Sequence, residues 1–194
     1  MTEEAPWSPA RAPYAIAVSQ SWWFCRAVAL FAADAGRSTG PAQQIYARQI
    51  FSQLRGLRRC AEMQEAELER LGIGQAARDE LRQAVEAFDA SVPDVKPGRD
   101  SLEHFDEYAR GTGKLQREAI RNLGLDLFEA AAMFWGGGYD PSTGRLTEGP
   151  FAITVSDAVP AAEALQRAIY AAGRAVDASA QTGTSRSSPE EGAS

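Results

Sequence analysis

Three long segments of helical periodicity follow one another along the chain, and they constrain the fold more than any other feature of the sequence. They cover about 14–33, 41–71 and 75–90, and only short polar or glycine-containing stretches separate them. The apolar residues that recur at near-helical spacing in the second segment are Ile45, Ile50, Leu54, Leu57 and Met63. Long helices joined by short loops pack as antiparallel neighbours. The sequence therefore predicts an all-α fold, an antiparallel helical bundle.

The second half of the chain is divided into shorter elements. Pro97 interrupts the chain before a short predicted helix at about 100–110. A further helical stretch covers about 115–133, either as one helix or as a shorter helix broken at Gly124. The stretch "FWGGGYDPSTGRLTEGPFAITV" places turn residues between short β-prone runs. It predicts a small β-hairpin before the C-terminal helix.

Both ends of the chain are small and polar. Residues 1–13 and 178–194 hold too few apolar side chains to offset the entropy of ordering, so disorder is predicted for both segments. A single helical-bundle domain is predicted between them, over 14–177, with its last helix at about 159–176. The acidic, proline-broken start of the chain is unlike a signal peptide.

The charge of the chain limits the ligands it can bind. The formal net charge of −6 argues against a broad, sequence-independent nucleic-acid binder, because such a protein makes many phosphate contacts. It leaves room for a small local basic site. Lys96 and Lys114 are the only lysines, and every other basic side chain apart from His104 is an arginine.

The cysteines and the most apolar segment give information on the cellular location of the protein. Cys25 and Cys60 lie in apolar helical contexts, without a CxxC pair or a Cys/His cluster. This predicts two buried reduced thiols in a cytoplasmic protein that holds neither a metal nor a cofactor. Serine, glutamine and arginine interrupt the apolar segment at 14–33, so a core helix is predicted and not a membrane span. Trp22 and Trp23 within it are interpreted as core or dimer contacts.

The only histidine of the chain, His104, lies in the stretch "KPGRDSLEHFDEY". Asp100 and Glu103 have the spacing of a capping box, which predicts a helix that begins at Asp100. Arg99 would then lie beside the unpaired backbone N–H groups of the first helical turn. A guanidinium next to a helix N-terminus forms a seat for a phosphate.

Residues four apart on this predicted helix share one side. Asp100, His104 and Tyr108 form such a ridge, in which Asp100 orients the imidazole and Tyr108 hydrogen-bonds a ligand or stacks on a base. An imidazole both accepts and donates a proton near neutral pH. Arginine for phosphate charge and histidine for proton transfer suffice in principle for metal-free cleavage of RNA, in which the 2′-hydroxyl is the nucleophile.

The same residues have a second interpretation. Glu103, Asp106 and Glu107 surround His104, and a single histidine on an acidic amphipathic helix is usually a solvated residue. The basic stretch "RGLRRC" at 55–60 has two interpretations as well, an RNA- or partner-binding patch and a solvated helix face paired with glutamates. The spacing alone leaves both pairs of alternatives open.

The string "RDSLEH" resembles the motif of the HEPN superfamily (higher eukaryotes and prokaryotes nucleotide-binding), in which a polar residue follows the arginine and the histidine comes soon after. The longer string "RDSLEHFDEYARGTGKLQ" is similar to an uncharacterised bacterial helical family. The resemblance implies a helical bundle over roughly 14–177, with Arg99 and His104 catalytic and Asp100 supporting them. Phe105 departs from the tyrosine that follows the histidine in one common variant of the motif.

The resemblance also implies a function. Many HEPN proteins are metal-independent ribonucleases of toxin–antitoxin or phage-defence systems, and they generally dimerise so that two motifs face each other. RNA, a second copy of the chain and an antitoxin or regulatory protein are therefore the expected partners. The first hypothesis is a cytoplasmic HEPN-like RNA endonuclease, with no cofactor and no membrane association. The alternative is a non-catalytic helical protein-interaction or regulatory module, in which His104 is incidental.

Overall fold

A computed structural model describes residues 12–185 of the chain, and α-helices dominate it. The three long helices predicted from the apolar spacing are present: α1 is Pro13–Arg37, α2 is Gly40–Arg70 and α3 is Gln75–Ser91. Only Ser38 and Thr39 connect α1 to α2. Because these two helices pack closely along each other, so short a connection makes them antiparallel.

Four shorter helices follow: α4 is Val95–Glu103, α5 is Phe105–Ala109, α6 is Lys114–Leu123 and α7 is Leu127–Phe134. The prediction that a helix begins at Asp100 is wrong, since α4 already begins at Val95. Pro97 is the third residue of α4, where a backbone N–H has no partner within the helix, so the proline is tolerated there. The proline therefore lies in the first turn of α4 and does not separate α4 from the preceding chain.

A break separates α6 from α7, as the second of the two sequence alternatives predicted. Gly124 ends α6 with a left-handed φ of 69°. α7 then begins with a capping box, in which the Asp126 carboxylate accepts a hydrogen bond from the Glu129 amide at 2.7 Å. The Glu129 carboxylate accepts one from the Asp126 amide at 2.9 Å. A capping box is thus present at α7, whereas the residue before α4 makes no side-chain cap.

A three-stranded antiparallel sheet follows α7, in the order β1 (Gly137–Asp140), β2 (Arg145–Glu148) and β3 (Phe151–Thr154). The predicted hairpin corresponds to β1 and β2. The third strand was not predicted, because the turn at Gly149 and Pro150 leaves only four residues before the next helix. That helix, α8, is Val155–Ser185.

The core lies between the four long helices, and α8 packs against each of α1, α2 and α3. The fully buried large apolar side chains of α2 are Ile50, Phe51, Leu54, Leu57 and Leu68. Each buried apolar side chain of this size stabilises the fold by about 1.5–3 kcal/mol. The predicted helical bundle with a small β element before the C-terminal helix is therefore confirmed.

The two ends of α8 differ from the prediction. The helix begins at Val155 and ends at Ser185, whereas about 159–176 was predicted. Pro160 lies inside α8, as its sixth residue. Disorder was predicted for residues 1–13 and 178–194; of these, 1–11 and 186–194 lie outside the described residues, whereas 178–185 are part of α8.

α1 presents an apolar surface on two sides. One side packs on α2 and α8, while Trp22 and Trp23 on the other side are exposed, Trp23 to 61%. The interpretation of these tryptophans as core residues is wrong, and their role as dimer contacts stays a prediction. Within residues 12–185, α1 is the one helix long and apolar enough to span a membrane. Only 17% of this apolar stretch is buried inside the fold, so the assignment of α1 as a core helix and not a membrane span stays a prediction.

α4 is seated directly on the core. A Cβ at Gly98 would lie 2.6 Å from the ring of Phe51 on α2, so the glycine allows the two helices to approach closely. Asp94, just before α4, accepts a hydrogen bond from the Ala152 amide of β3 at 2.9 Å. These two contacts fix the helix that carries Arg99 relative to both the bundle and the sheet.

The outer edge of β1 is bound by one side chain, which makes a testable contribution to stability. The Gln44 amide group donates to the Tyr139 carbonyl at 3.0 Å and accepts from the Tyr139 amide at 2.6 Å. Gln44→Ala removes both hydrogen bonds, so we expect it to lower the free energy of unfolding by about 1–3 kcal/mol. Urea denaturation measures this, with Gln49→Ala of the same helix as the control. Equal stabilities of the two variants would contradict the role of Gln44.

The two cysteines are buried and reduced, as predicted. Burial raises the pKa of the Cys60 thiol to about 11. The thiolate is the reactive form, so we expect native Cys60 to be alkylated about 100-fold more slowly at pH 8 than in the unfolded chain. Peptide mapping after iodoacetamide treatment, with and without guanidinium, measures the two rates. Similar rates would mean that the thiol is open to solvent.

Candidate functional site

His104 lies at the junction between α4 and α5. Its backbone leaves the helical conformation, with φ −105° and ψ 31°. Its amide donates to the Asp100 carbonyl at 3.0 Å, and its own carbonyl accepts from the Glu107 amide at 2.9 Å. The main chain therefore holds the imidazole at a helix end, whereas the sequence analysis had placed it within one continuous helix.

A cavity of about 430 Å³ lies beside this junction and is here termed the histidine cavity. The residues that line it are Lys96, Pro97, Asp100, His104, Glu107, Tyr108, Lys114 and Leu115. The ridge predicted from the spacing of Asp100, His104 and Tyr108 thus does face one common space. α4, α5 and the start of α6 all contribute to it.

The charges of the histidine cavity suit an anion. The only two lysines of the chain, Lys96 and Lys114, line it together with the only histidine. Within the part of the chain that the structure describes, no carboxylate lies within salt-bridge distance of either ammonium group. Asp100 and Glu107 balance the two lysines in formal charge, so a proton on His104 makes the lining net positive.

Arg99 is held by carboxylates next to the histidine cavity. Its guanidinium donates to Asp100 Oδ1 at 3.1 Å and forms an ion pair with Glu103. The Arg99 side chain is only 20% exposed, and it does not belong to the lining of the cavity. Its connection with His104 therefore runs through Asp100, which pairs with Arg99 and also lines the cavity.

The carboxylate beside the imidazole is that of Glu107. Its Oε1 lies 3.5 Å from His104 Nδ1. Asp100 was predicted to orient the ring, but Asp100 reaches His104 through its backbone carbonyl and directs its side chain to Arg99. Glu107 was not predicted as a site residue, although its position three residues after His104 was a usable signal.

Tyr108 forms the inner wall of the site. It is only 8% exposed, and its ring stacks on Phe134 with 5.1 Å between ring centroids. Burial raises the pKa of the Tyr108 phenol, a hydrogen bond from the Leu115 backbone acts in the opposite direction, and nearby carboxylates add to the increase. The phenol therefore stays protonated and keeps a hydrogen-bond donor at the cavity wall. Its role as a substrate-binding residue stays a prediction.

Two of the three arginines in the "RGLRRC" stretch pair with acidic side chains. Arg55 donates to Glu62 at 3.0 Å, and Arg58 donates to Asp89 at 3.0 Å. This pairing agrees with the interpretation of the stretch as a helix face balanced by carboxylates. Lys96 and Lys114 differ from these arginines, because their charges are available to a ligand.

Comparisons of this chain with protein-family models, curated proteins and solved structures gave no match. Among the described residues, no group of three or more histidine, cysteine, aspartate or glutamate side chains has an arrangement that would hold a metal ion. Proton transfer by His104 and charge stabilisation by Lys96 and Lys114 are the chemistry that the histidine cavity offers through its own side chains.

Proposed function

We propose that this protein is a HEPN-like RNA endonuclease that works without a metal ion and uses the histidine cavity as its active site. The observation that supports this most is that the only histidine and the only two lysines of the chain line one cavity. Cleavage of RNA by its own 2′-hydroxyl needs a group that moves protons and cations that stabilise the phosphorane. The residues of the cavity include both.

The reaction assigns one step to each kind of residue. His104 removes the proton from the 2′-hydroxyl, and the resulting oxyanion attacks the adjacent phosphorus. The bond between phosphorus and the 5′-oxygen then breaks, which leaves a 2′,3′-cyclic phosphate and a 5′-hydroxyl. Lys96 and Lys114 stabilise the negative charge that grows on the non-bridging oxygens.

The remaining residues of the motif position the side chains that line the histidine cavity. Glu107 holds the imidazole near Nδ1, and Arg99 fixes the Asp100 carboxylate at the cavity wall. Arg99 is thus a positioning residue in this proposal, because its guanidinium is already paired with two carboxylates. Tyr108 donates a hydrogen bond to the bound RNA.

The proposal includes a cytoplasmic homodimer. The 5′-oxygen must receive a proton as it leaves, and a second copy of the chain would bring a second imidazole to the same cleft. The resemblance of "RDSLEH" to the HEPN motif supports this arrangement, together with a role in a toxin–antitoxin or phage-defence system. An antitoxin or regulatory protein would then hold the nuclease inactive.

Two labelled oligonucleotides test the reaction. One is a single-stranded RNA, and the other has the same sequence but only 2′-deoxyribose. In excess chelator we expect the RNA to be cut to products with a cyclic phosphate end, visible by mass spectrometry, and the deoxy strand to stay intact. Cleavage of both strands, loss of activity with chelator, or no cleavage of either would reject the proposal.

A second candidate function is supported by a different surface. Leu127, Phe128 and Trp135, on and just after α7, are largely exposed, Phe128 to 82%. Exposed apolar patches of this kind often mark protein-interaction sites. A non-catalytic interaction or regulatory module would use this surface and leave His104 without a role. This candidate is favoured if the RNA stays uncleaved and the protein binds a second protein tightly through Phe128.

A further inference from the structure

A larger cleft lies on the other side of the α4–α5 junction. It has a volume of about 660 Å³ and is bordered by α2, the junction itself and the chain before β1. It is here termed the aromatic cleft, and the proposed cleavage reaction makes no use of it. Its size and its mixture of aromatic and polar side chains are those of a ligand site.

Two aromatic rings are exposed at the aromatic cleft. Phe105 is 65% exposed and Trp135 is 74% exposed, and both line the cleft. A single exposed apolar side chain needs no explanation, but two large rings on one concave surface indicate a binding function. Aromatic side chains in such positions stack on the bases of single-stranded nucleic acids.

The aromatic cleft and the histidine cavity adjoin each other. Phe105 directly follows His104, and the Cα atoms of consecutive residues are about 3.8 Å apart. Tyr108 lines both spaces, so its ring is part of the wall between them. Phe105 therefore lines the space next to the one that His104 lines.

The charges of the two spaces decide which part of a nucleotide each accepts. Arg48 lines the aromatic cleft, but both oxygens of the Glu148 carboxylate accept hydrogen bonds from it at 2.8 Å. Glu103 adds a second carboxylate to the lining. Because Glu103 pairs with Arg99 and Glu148 pairs with Arg48, the described residues of this lining offer a phosphate no unpaired cation, whereas an uncharged base can stack on the rings and hydrogen-bond to Gln49 and Ser52.

We propose that the aromatic cleft binds a base of single-stranded RNA by stacking on Phe105 and Trp135, next to the phosphate held in the histidine cavity. The position of that phosphate rests on the proposed function. Stacking on aromatic faces tolerates any base, so the substrate is unpaired RNA of mixed sequence. Paired RNA is a poor ligand, because its bases are already stacked on one another.

Binding to a fluorescently labelled single-stranded RNA of mixed sequence tests this proposal. The His104→Ala protein is used throughout, so that the RNA stays intact. Adding Trp135→Ala or Phe105→Ala is expected to weaken binding roughly 5- to 150-fold each. Trp135→Phe keeps a ring and should retain most of the affinity. Tyr170→Ala is the matched control, because it removes an exposed aromatic ring on α8, outside both spaces.

The outcomes separate this inference from the proposed function. RNA binding that depends on Trp135, together with no cleavage by the wild-type protein, would support the stacking site and reject the nuclease. Cleavage that depends on His104, with unchanged affinity in Trp135→Ala and Phe105→Ala, would reject the stacking site alone. A change in oligomeric state by sedimentation, with unchanged RNA affinity, would reject it as well and assign the rings to a protein interface.

Discussion

Replacement of His104 by alanine is expected to lower the rate of RNA cleavage by about 10²- to 10⁴-fold. The reason is that His104 is the only imidazole of the chain and lines the histidine cavity with the two lysines. No other side chain of that cavity can remove a proton from the 2′-hydroxyl as readily near neutral pH. Single-turnover rates with excess protein, measured in chelator, report the chemical step without product release.

The control variants each remove one positive charge, either inside the histidine cavity or far from it. Lys96→Ala and Lys114→Ala should each reduce the rate less than His104→Ala, because one ammonium group remains to stabilise the phosphorane. Arg37→Ala removes a cation from the exposed end of α1 and should leave the rate unchanged. Wild-type rates in His104→Ala, or an equal loss in Arg37→Ala, would show that the cavity does not perform the cleavage.

In this proposal an acidic protein binds RNA because carboxylates neutralise some of its cations and leave others free to contact phosphate. Arginines such as Arg48, Arg58 and Arg70 are bound by carboxylates, so they contribute little to a field that attracts phosphate. Lys96 and Lys114 have no such partner in the described part of the chain, and both face the same space. The net charge of −6 therefore describes the whole surface, while in the histidine cavity the two ammonium groups balance the carboxylates of Asp100 and Glu107.

The parts of the fold that the sequence predicted correctly are those with strong local signals. The apolar spacing of Ile50, Leu54 and Leu57 could only be buried on one face, and all three are fully buried on α2. The capping-box signal was misleading at α4, whose actual start has no side-chain cap. Asp100 and Glu103 have capping-box spacing inside α4, and the helix begins earlier because Pro97 fits its first turn.

The site was predictable only in part. The motif identified Asp100, His104 and Tyr108, which lie four apart and do line one cavity. Lys114 reaches that cavity from the start of α6, beyond a turn, so no periodicity within the motif could reveal it. The role predicted for Arg99 depended on a helix start at Asp100, and it changes because the guanidinium lies within α4 beside two carboxylates.

Replacement of Phe51 by alanine is expected to lower the free energy of unfolding by about 3–5 kcal/mol. Its ring is fully buried on α2, and Gly98 of α4 packs against it. The variant loses the transfer free energy of the ring and leaves a cavity under the helix that carries Asp100. Urea denaturation measures the loss of stability, and the slope of the unfolding free energy against urea concentration should stay unchanged. The rate of RNA cleavage should also fall at temperatures where the variant is still folded, because α4 loses the ring against which it packs.

The matched control uses another phenylalanine. Phe105 is mostly exposed, so Phe105→Ala should change the free energy of unfolding by less than about 0.5 kcal/mol. A loss below about 1 kcal/mol in Phe51→Ala would mean that α2 and α4 do not pack as described. With this contact absent, only the contacts of α4 with the sheet, such as the hydrogen bond between Asp94 and Ala152, would position the α4–α5 junction that carries His104.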